Sequence, residues 1–253
     1  MAAANLSPPS SPPGAGLSIA LAGSGGSGVM TAGTLLLQTA AEAGLYGLMV
    51  RTSGPQIRGG EAAALIRLSP TPTQSLDDGF DMLLALDWQN VFRFADEIPL
   101  KPGALLIGDA DEGEVPEVFK AQAAHVITLP LKKTAKAIPG SWINMLALGL
   151  AGAWAGLPAS ALEGALNASW KRGAEALQAN VNALRRGIEA AANFPQRTPL
   201  AAGQDAGAGA GAGRWLISGN DAAGFGAVRG GIRFVAAYPI TPQTQIVEEL
   251  SEM

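Results

Sequence analysis

Three short segments of this 253-residue chain concentrate the residue types that chemistry needs. The first is Gly23-Ser24-Gly25-Gly26-Ser27-Gly28, where Gly23, Gly25 and Gly28 fit the spacing G-x-G-x-x-G. Glycines at that spacing allow a tight turn, and backbone N–H groups can then approach a phosphate at a helix N-terminus. An acidic residue about 20 positions on would hold a ribose hydroxyl. Here it is missing, and the next apolar run ends in Arg51 instead. That disfavours NAD, leaves NADP open through a 2′-phosphate on Arg51, and leaves open that the glycines serve only close packing of strand on helix.

The second segment, Ser53-Gly54-Pro55-Gln56-Ile57-Arg58-Gly59-Gly60-Glu61, is too rich in glycine and long polar side chains to be a plain connector. Arg58 can present a guanidinium to a carboxylate or phosphate. The alternative is a surface pair with Glu61, which contributes little. In the third, Tyr238-Pro239-Ile240-Thr241-Pro242, two prolines fix a turn and hold Thr241 extended between them. A hydroxyl fixed at the carboxyl end of a strand is where α/β folds place ligands. An ordinary strand-to-helix turn, capped by Thr241 or Thr244, is the other reading.

Composition removes several classes. With no cysteine there is no disulfide, thiolate zinc site, iron–sulfur ligation or catalytic thiol. A single histidine, His125, excludes a two-histidine metal site. A net charge of −4 argues against nucleic-acid binding by bulk electrostatics. Forty-eight per cent hydrophobic residues suffice for a large core. The start of the chain has no basic region ahead of an apolar run, so no export signal is expected. The uncharged stretch 137–162 is shorter in its apolar part than the ~20 residues a membrane span needs and is bracketed by Pro139 and Pro158. A buried helix, and a soluble cytoplasmic protein, are expected.

The elements that must position these segments alternate short apolar runs with helix-period stretches, as in an α/β fold. Strands are predicted at Leu17–Ala22, Tyr46–Val50, Ala62–Leu68, Met82–Leu86, Ala104–Ile107 and His125–Leu129, and helices at Val29–Ala43, from Trp88 to about Asp96, and in a block from Ser141 to about Asn193. Strands apolar throughout suggest a parallel sheet covered on both faces, so residues 17–195 read as a doubly wound α/β domain. Residues 1–16 read as a disordered tail and 196–213 as a flexible Gly/Ala linker. Beyond it a second βα pattern opens, with a helix at Gly219–Gly231, a strand at Phe234–Tyr238 and a helix at Thr244–Glu252. Forty residues cannot enclose a core of their own, and the chain stops inside a helical pattern. It is expected to be truncated, with residues from 214 onward opening a larger domain.

These residues carry a family resemblance. The stretch ISGNDAAGFGAVRGGIRFVAAYPITPQTQIVEELSE resembles the opening of the α region of 2-oxoacid:ferredoxin oxidoreductases, for which YPITP is a specific mark. GSGGSGVMTAG followed by SGPQIRGGEA resembles that family's γ domain, and the γ-then-α order is similar to its two-subunit, 2-oxoglutarate-type members. The resemblance implies a pyrimidine-side thiamine diphosphate domain beginning at residue 214. It implies that Thr241 contacts the substrate carboxylate or keto group, with Tyr238, Pro239 and Ile240 on the cofactor side. It places Arg58 near the active site or the coenzyme A entrance, and Gly23, Gly25, Gly26 and Gly28 in packing or against a coenzyme A phosphate. It further implies a partner β subunit carrying the magnesium–diphosphate site and the [4Fe–4S] cluster, ferredoxin as acceptor, and a 2-oxoacid substrate. The expected reaction is CoA-dependent oxidative decarboxylation. An NADP-dependent dehydrogenase and a non-catalytic docking module are the rival readings.

Overall fold

The computed structural model describes residues 16–54, 60–89, 91–195, 200, 215–238, 240 and 243–252. Arg58, Pro239 and Thr241 lie outside them, as do the expected tail before residue 16 and all of the expected linker but Leu200. The chain divides into two compact units, Met1–Gly211 and Ala212–Met253.

The first unit is built on six strands: β1 (Leu17–Ser24), β2 (Tyr46–Ser53), β3 (Glu61–Ser69), β4 (Phe80–Ala85), β5 (Leu100–Asp109) and β6 (His125–Leu129). They lie in the order β2-β3-β1-β4-β5-β6. The run β1-β4-β5-β6 is parallel. β3 is antiparallel to both β1 and β2, so the expectation of an all-parallel sheet is corrected to a mixed one. Only residues 54–60 join β2 to β3, whereas a parallel crossover needs a dozen or more residues. β3 carries an unbroken apolar run, Ala62–Ile66, because the strand is buried on both faces, and that property does not report strand direction.

Alternate residues of the strands feed two cores. Leu17, Ile19, Leu21, Ile66, Leu68, Met82, Leu84, Leu105 and Ile107 point to one face. There they meet α1 (Val29–Glu42), α4 (Ile143–Trp154), α5 (Ala159–Ser169) and α6 (Ala174–Ala191). Ala20, Ala22, Leu83, Ala85 and Leu106 point to the other, against Trp88, Phe94, Ile98 and Phe119. The second face is thinly covered, by a 3₁₀ turn at Val91–Phe94 and the single-turn α2 (Glu117–Lys120). The helix expected from Trp88 to about Asp96 is thus reduced to that turn. Trp88 is instead buried against Gly108, where any Cβ would collide with its indole, and Pro99 bars continuation beyond Ile98.

The uncharged stretch forms α4, which is buried nearly all round. Gly149 of α4 and Gly187 of α6 let the helix backbones touch: a Cβ at either would strike a carbonyl oxygen of the other helix. Among the described residues no helix is long and apolar enough to cross a membrane.

In the second unit, α7 (Gly219–Arg229) opens with a capping box. Asp221 N–H donates to Ser218 Oγ at 3.2 Å, and Ser218 N–H donates to Asp221 Oδ2 at 2.8 Å. α8 spans Gln243–Glu252. The strand expected at Phe234–Tyr238 is not formed: the segment is exposed and pairs with no strand among the described residues, and a strand exists only through pairing.

Candidate functional site

The glycine segment follows β1 and opens α1, as its spacing predicts, but its glycines do different things. Gly23 is still inside the strand, where a Cβ would press on Ser27, Val29 and Leu86 at 3.0–3.3 Å, so it serves close packing. Gly26 and Gly28 have φ of 94° and 84°, a left-handed conformation that side chains disfavour. Gly28 is also the N-cap of α1, and a Cβ there would run into Asn144. The Gly25 N–H donates to the Gly60 carbonyl at 2.5 Å and so ties this loop to the end of the 54–60 connection.

Neighbouring groups hold the loop in place. Asp87, just past β4, accepts from the Ser24 backbone N–H at 2.7 Å and from its hydroxyl at 2.9 Å. No side chain caps the N-terminus of α1 and no acidic residue stands in its first turn. The positive end of the helix dipole is therefore uncompensated and suits an anion.

Cations face it. A cavity of about 500 Å³ is lined by Gly26, Ser27, Gly28 and Thr31 on one side and by Lys132, Lys136 and Arg172 on the other. Lys132 and Lys136 belong to α3 (Leu131–Lys136), a short helix whose Leu131 and Ala135 are buried, leaving the lysines outward. Asp109, fully buried at the end of β5, accepts the Lys132 backbone N–H at 2.5 Å and so fixes the start of α3. The Lys132 ammonium is held above its ordinary 10.5 by its hydrogen bond to Glu112, with the Asp109 and Asp87 charges adding to it against desolvation. It is charged at neutral pH.

Arg51, at the β2 edge, lines a second cavity of about 460 Å³ with Gln38, Trp142, Trp170 and Arg172. Glu61, the suggested partner of Arg58, is 5% exposed and accepts from Arg93 at 3.1 Å, while Arg58 itself lies outside the described residues. Its pKa lies below the ordinary 4.5, first through a hydrogen bond from its own backbone N–H and then, against burial, through Arg93. Both ends of the 54–60 connection are fixed: Gly54 N–H donates to the Glu61 carbonyl at 2.9 Å, and Gly60 meets Gly25.

In the second unit, Tyr238 and Ile240 are 75% and 60% exposed. The Ile240 N–H donates to the Tyr238 carbonyl at 2.7 Å, and Thr244 lies within α8 with its N–H on the Ile240 carbonyl, so Thr244 is not the cap of that helix. Lys132, Lys136, Arg172 and Asn144 were not singled out from the sequence. The only signal was a pair of short basic runs, Lys132-Lys133 and Lys171-Arg172, each of which looks like an ordinary solvated surface.

The family model for pyruvate ferredoxin/flavodoxin oxidoreductase matches residues 18–190. The chain is 32% identical over 141 residues to 2-oxoglutarate synthase subunit KorC of Methanothermobacter thermautotrophicus, covering 52% of this chain and 72% of that one. It is 54% identical over 37 residues to subunit KorA of the same organism, 15% of this chain and 10% of that one. Among solved structures it is similar to the 2-oxoglutarate:ferredoxin oxidoreductase of Magnetococcus marinus, determined with 2-oxoglutarate, coenzyme A and succinyl-CoA bound. That match has a TM-score of 0.79 and 28% identity over 94% of this chain and 41% of that one. It is also similar to the γ subunit of a keto/oxoacid ferredoxin oxidoreductase from Geobacter sulfurreducens, with a TM-score of 0.57 and 26% identity over 70% of this chain and 97% of that one. With the family model matching well over half of its length, this chain belongs to the pyruvate ferredoxin/flavodoxin oxidoreductase family.

Proposed function

We propose that this chain contributes the γ-type part, with the opening of the α part, to a 2-oxoacid:ferredoxin oxidoreductase that uses 2-oxoglutarate and coenzyme A. Similarity to two subunits of 2-oxoglutarate synthases, and to an enzyme solved with 2-oxoglutarate and coenzyme A, supports the substrate pair. In the proposed reaction the bond between carboxyl and keto carbons breaks and CO₂ leaves. The acyl group joins the CoA sulfur as a thioester, and the electrons released pass to ferredoxin. Thiamine diphosphate with Mg²⁺ is the electron sink such a cleavage needs. The [4Fe–4S] cluster is assigned to a partner β subunit, since a cysteine-free sequence supplies no thiolate ligands, and the thiamine diphosphate with its Mg²⁺ is assigned to the same subunit from the family resemblance.

The observation that carries the reading for this chain is the cavity between the uncapped α1 N-terminus and the Lys132, Lys136 and Arg172 cations. Coenzyme A is a polyanion, and a helix dipole with three cations around one cavity is a natural receptor for its phosphates. Arg58 is assigned to CoA or substrate recognition, and Thr241 to the substrate head.

The test is the full chain purified with its cysteine-bearing partner subunit, assayed for viologen reduction. Reduction should require 2-oxoglutarate and CoA together. NADP⁺ reduction indifferent to CoA would establish the dehydrogenase reading instead, and stable association without turnover of any 2-oxoacid would leave a docking module.

A further inference from the structure

The sheet of the first unit has two edge strands, β6 and β2, and they end the sheet differently. β6 has five residues and is followed at once by Pro130, the short, proline-flanked form in which natural proteins guard an edge. β2 has eight residues, no proline or lysine, and an unbroken register with β3. Arg51 is its single charged residue. Among the described residues no strand lies on its outer side.

The hydrogen bonds at the end of the β2–β3 pair fix which backbone groups of β2 point outward. Gly54 N–H donates to the Glu61 carbonyl and Gly25 N–H to the Gly60 carbonyl, so Glu61 turns toward β2 and Gly60 toward β1. In an antiparallel ladder this direction alternates residue by residue. Leu48, Val50 and Thr52 therefore bond to β3, while Gly47, Met49, Arg51 and Ser53 direct N–H and C=O away from it. These four residues are symmetric about Val50. A second β2 laid antiparallel, with Val50 opposite Val50, pairs Gly47 with Ser53 and Met49 with Arg51. Every outward group then has a partner. A shift of two residues either way leaves groups at a strand end unpaired.

The side chains agree with that register. Val50 is 42% exposed, and its pairing with Leu65 places it on the thinly covered face of the sheet. Across the two-fold axis it meets its own copy. Arg51 meets Met49, not a second arginine. On the α1 side, Arg51 lines a cavity with Gln38. Arg51 of the second copy, opposite Met49, stands two residues back along β2, about 6.6 Å. That distance is about four residues of α1, which runs opposite to β2. Four residues on from Gln38, on the same helix face, is Glu42. Glu42 is exposed and ends a helix with no basic residue in its last turn. Its carboxylate and the negative end of the helix dipole both call for a cation.

We propose that β2 is a self-association edge: two copies of this chain pair their β2 strands antiparallel about Val50 and continue one sheet through both, with Arg51 of each against Glu42 of the other. This stands apart from the coenzyme A reading.

The chain has no cysteine, so a single introduced thiol reports on its own position. Directly opposed residues of a non-hydrogen-bonded pair have Cα atoms about 4.5 Å apart, within reach of a disulfide. Val50→Cys in the full chain should give a disulfide-linked dimer on mild oxidation. Leu48→Cys should not, since its two copies would stand about 13 Å apart. Sedimentation of the full chain should show a reversible dimer. Arg51→Glu and Glu42→Arg should each raise its dissociation constant about tenfold, and the double exchange should restore most of the affinity, which a merely structural role for either residue would not do. Val50→Lys should give a monomer of unchanged melting temperature, because Val50 belongs to neither core. A wild type that is monomeric at micromolar concentration would overturn the proposal. So would cross-linking through Leu48→Cys in place of Val50→Cys, or charge variants that the double exchange fails to restore. A monomeric wild type whose Val50→Lys variant loses the partner subunit would give the edge to that subunit and overturn self-pairing.

Discussion

The Asn144 side-chain amide donates to the Gly28 carbonyl at 3.1 Å, joining residues 116 positions apart. The same carbonyl accepts the Ala32 N–H at 3.0 Å, the first hydrogen bond of α1. One oxygen thus sets the start of α1 and binds it to the start of α4, and these two helices carry much of the cavity wall. Gly28→Ala should be among the most damaging single-methyl additions to the loop. It forces a positive φ on a side chain and drives that side chain into Asn144. A cost of about 2–4 kcal/mol is expected, or roughly 4–16 °C in Tm for a unit of this size. Adding Asn144→Ala should relieve the two shortest contacts, leaving the 2.9 Å approach to the residue-144 Cβ and the φ, so the double variant should recover part of the loss. A Gly28→Ala protein melting with the wild type would refute this account.

Lys132 and Lys136 should affect binding and leave stability nearly alone. Both are exposed on a short helix, and pairs of the Lys132–Glu112 kind contribute little to folding. Lys132→Ala and Lys136→Ala should each raise the KM for coenzyme A about fivefold, corresponding to ~1 kcal/mol, with kcat and Tm nearly unchanged. The difference from wild type should shrink as ionic strength rises. KM measured at low and high salt checks this. Unchanged values at low salt would move the CoA phosphates elsewhere.

How much of this was legible in the sequence depends on how local the cause is. β1, the turn and α1 could be located because an apolar run, a glycine cluster and a helical period follow one another within thirty residues. The antiparallel β2–β3 pair was missed because apolar character reports burial, and β3 is buried whichever way its neighbours run. The cations were missed because Lys132, Lys136 and Arg172 reach the glycine loop only through tertiary folding, more than a hundred residues away. Phe234–Tyr238 shows the converse error: a strand-like run without a ladder partner is not a strand.

Glu61 gives a pH signature. Its folded pKa lies below the ordinary 4.5, from its own backbone N–H first and then Arg93, with burial opposing. A depressed carboxylate stabilises the fold above its unfolded value, and that contribution is lost as pH falls through the folded value. Arg93→Met removes one cause. The Tm difference between wild type and Arg93→Met should therefore be constant above about pH 5 and close on acidification below the ordinary value. A gap that stays constant to pH 3 would show that Arg93 acts through packing on Phe92, not through the Glu61 charge.

Thr241 stands in the most specific motif of the chain, and its role is proposed from sequence resemblance. The proline that follows restricts the backbone of Thr241, so less ordering entropy is expected to be lost on binding. Removing a hydrogen bond to a charged substrate group costs ~1.5–3 kcal/mol, roughly tenfold to 150-fold in kcat/KM. Thr241→Val keeps volume and β-branching while losing the donor. In the complex with its partner subunit, the variant should keep the wild-type Tm and thiamine diphosphate affinity and lose activity toward the 2-oxoacid by that factor. Undiminished kcat/KM would reduce the YPITP segment to a turn, and a large fall in Tm would make Thr241 structural.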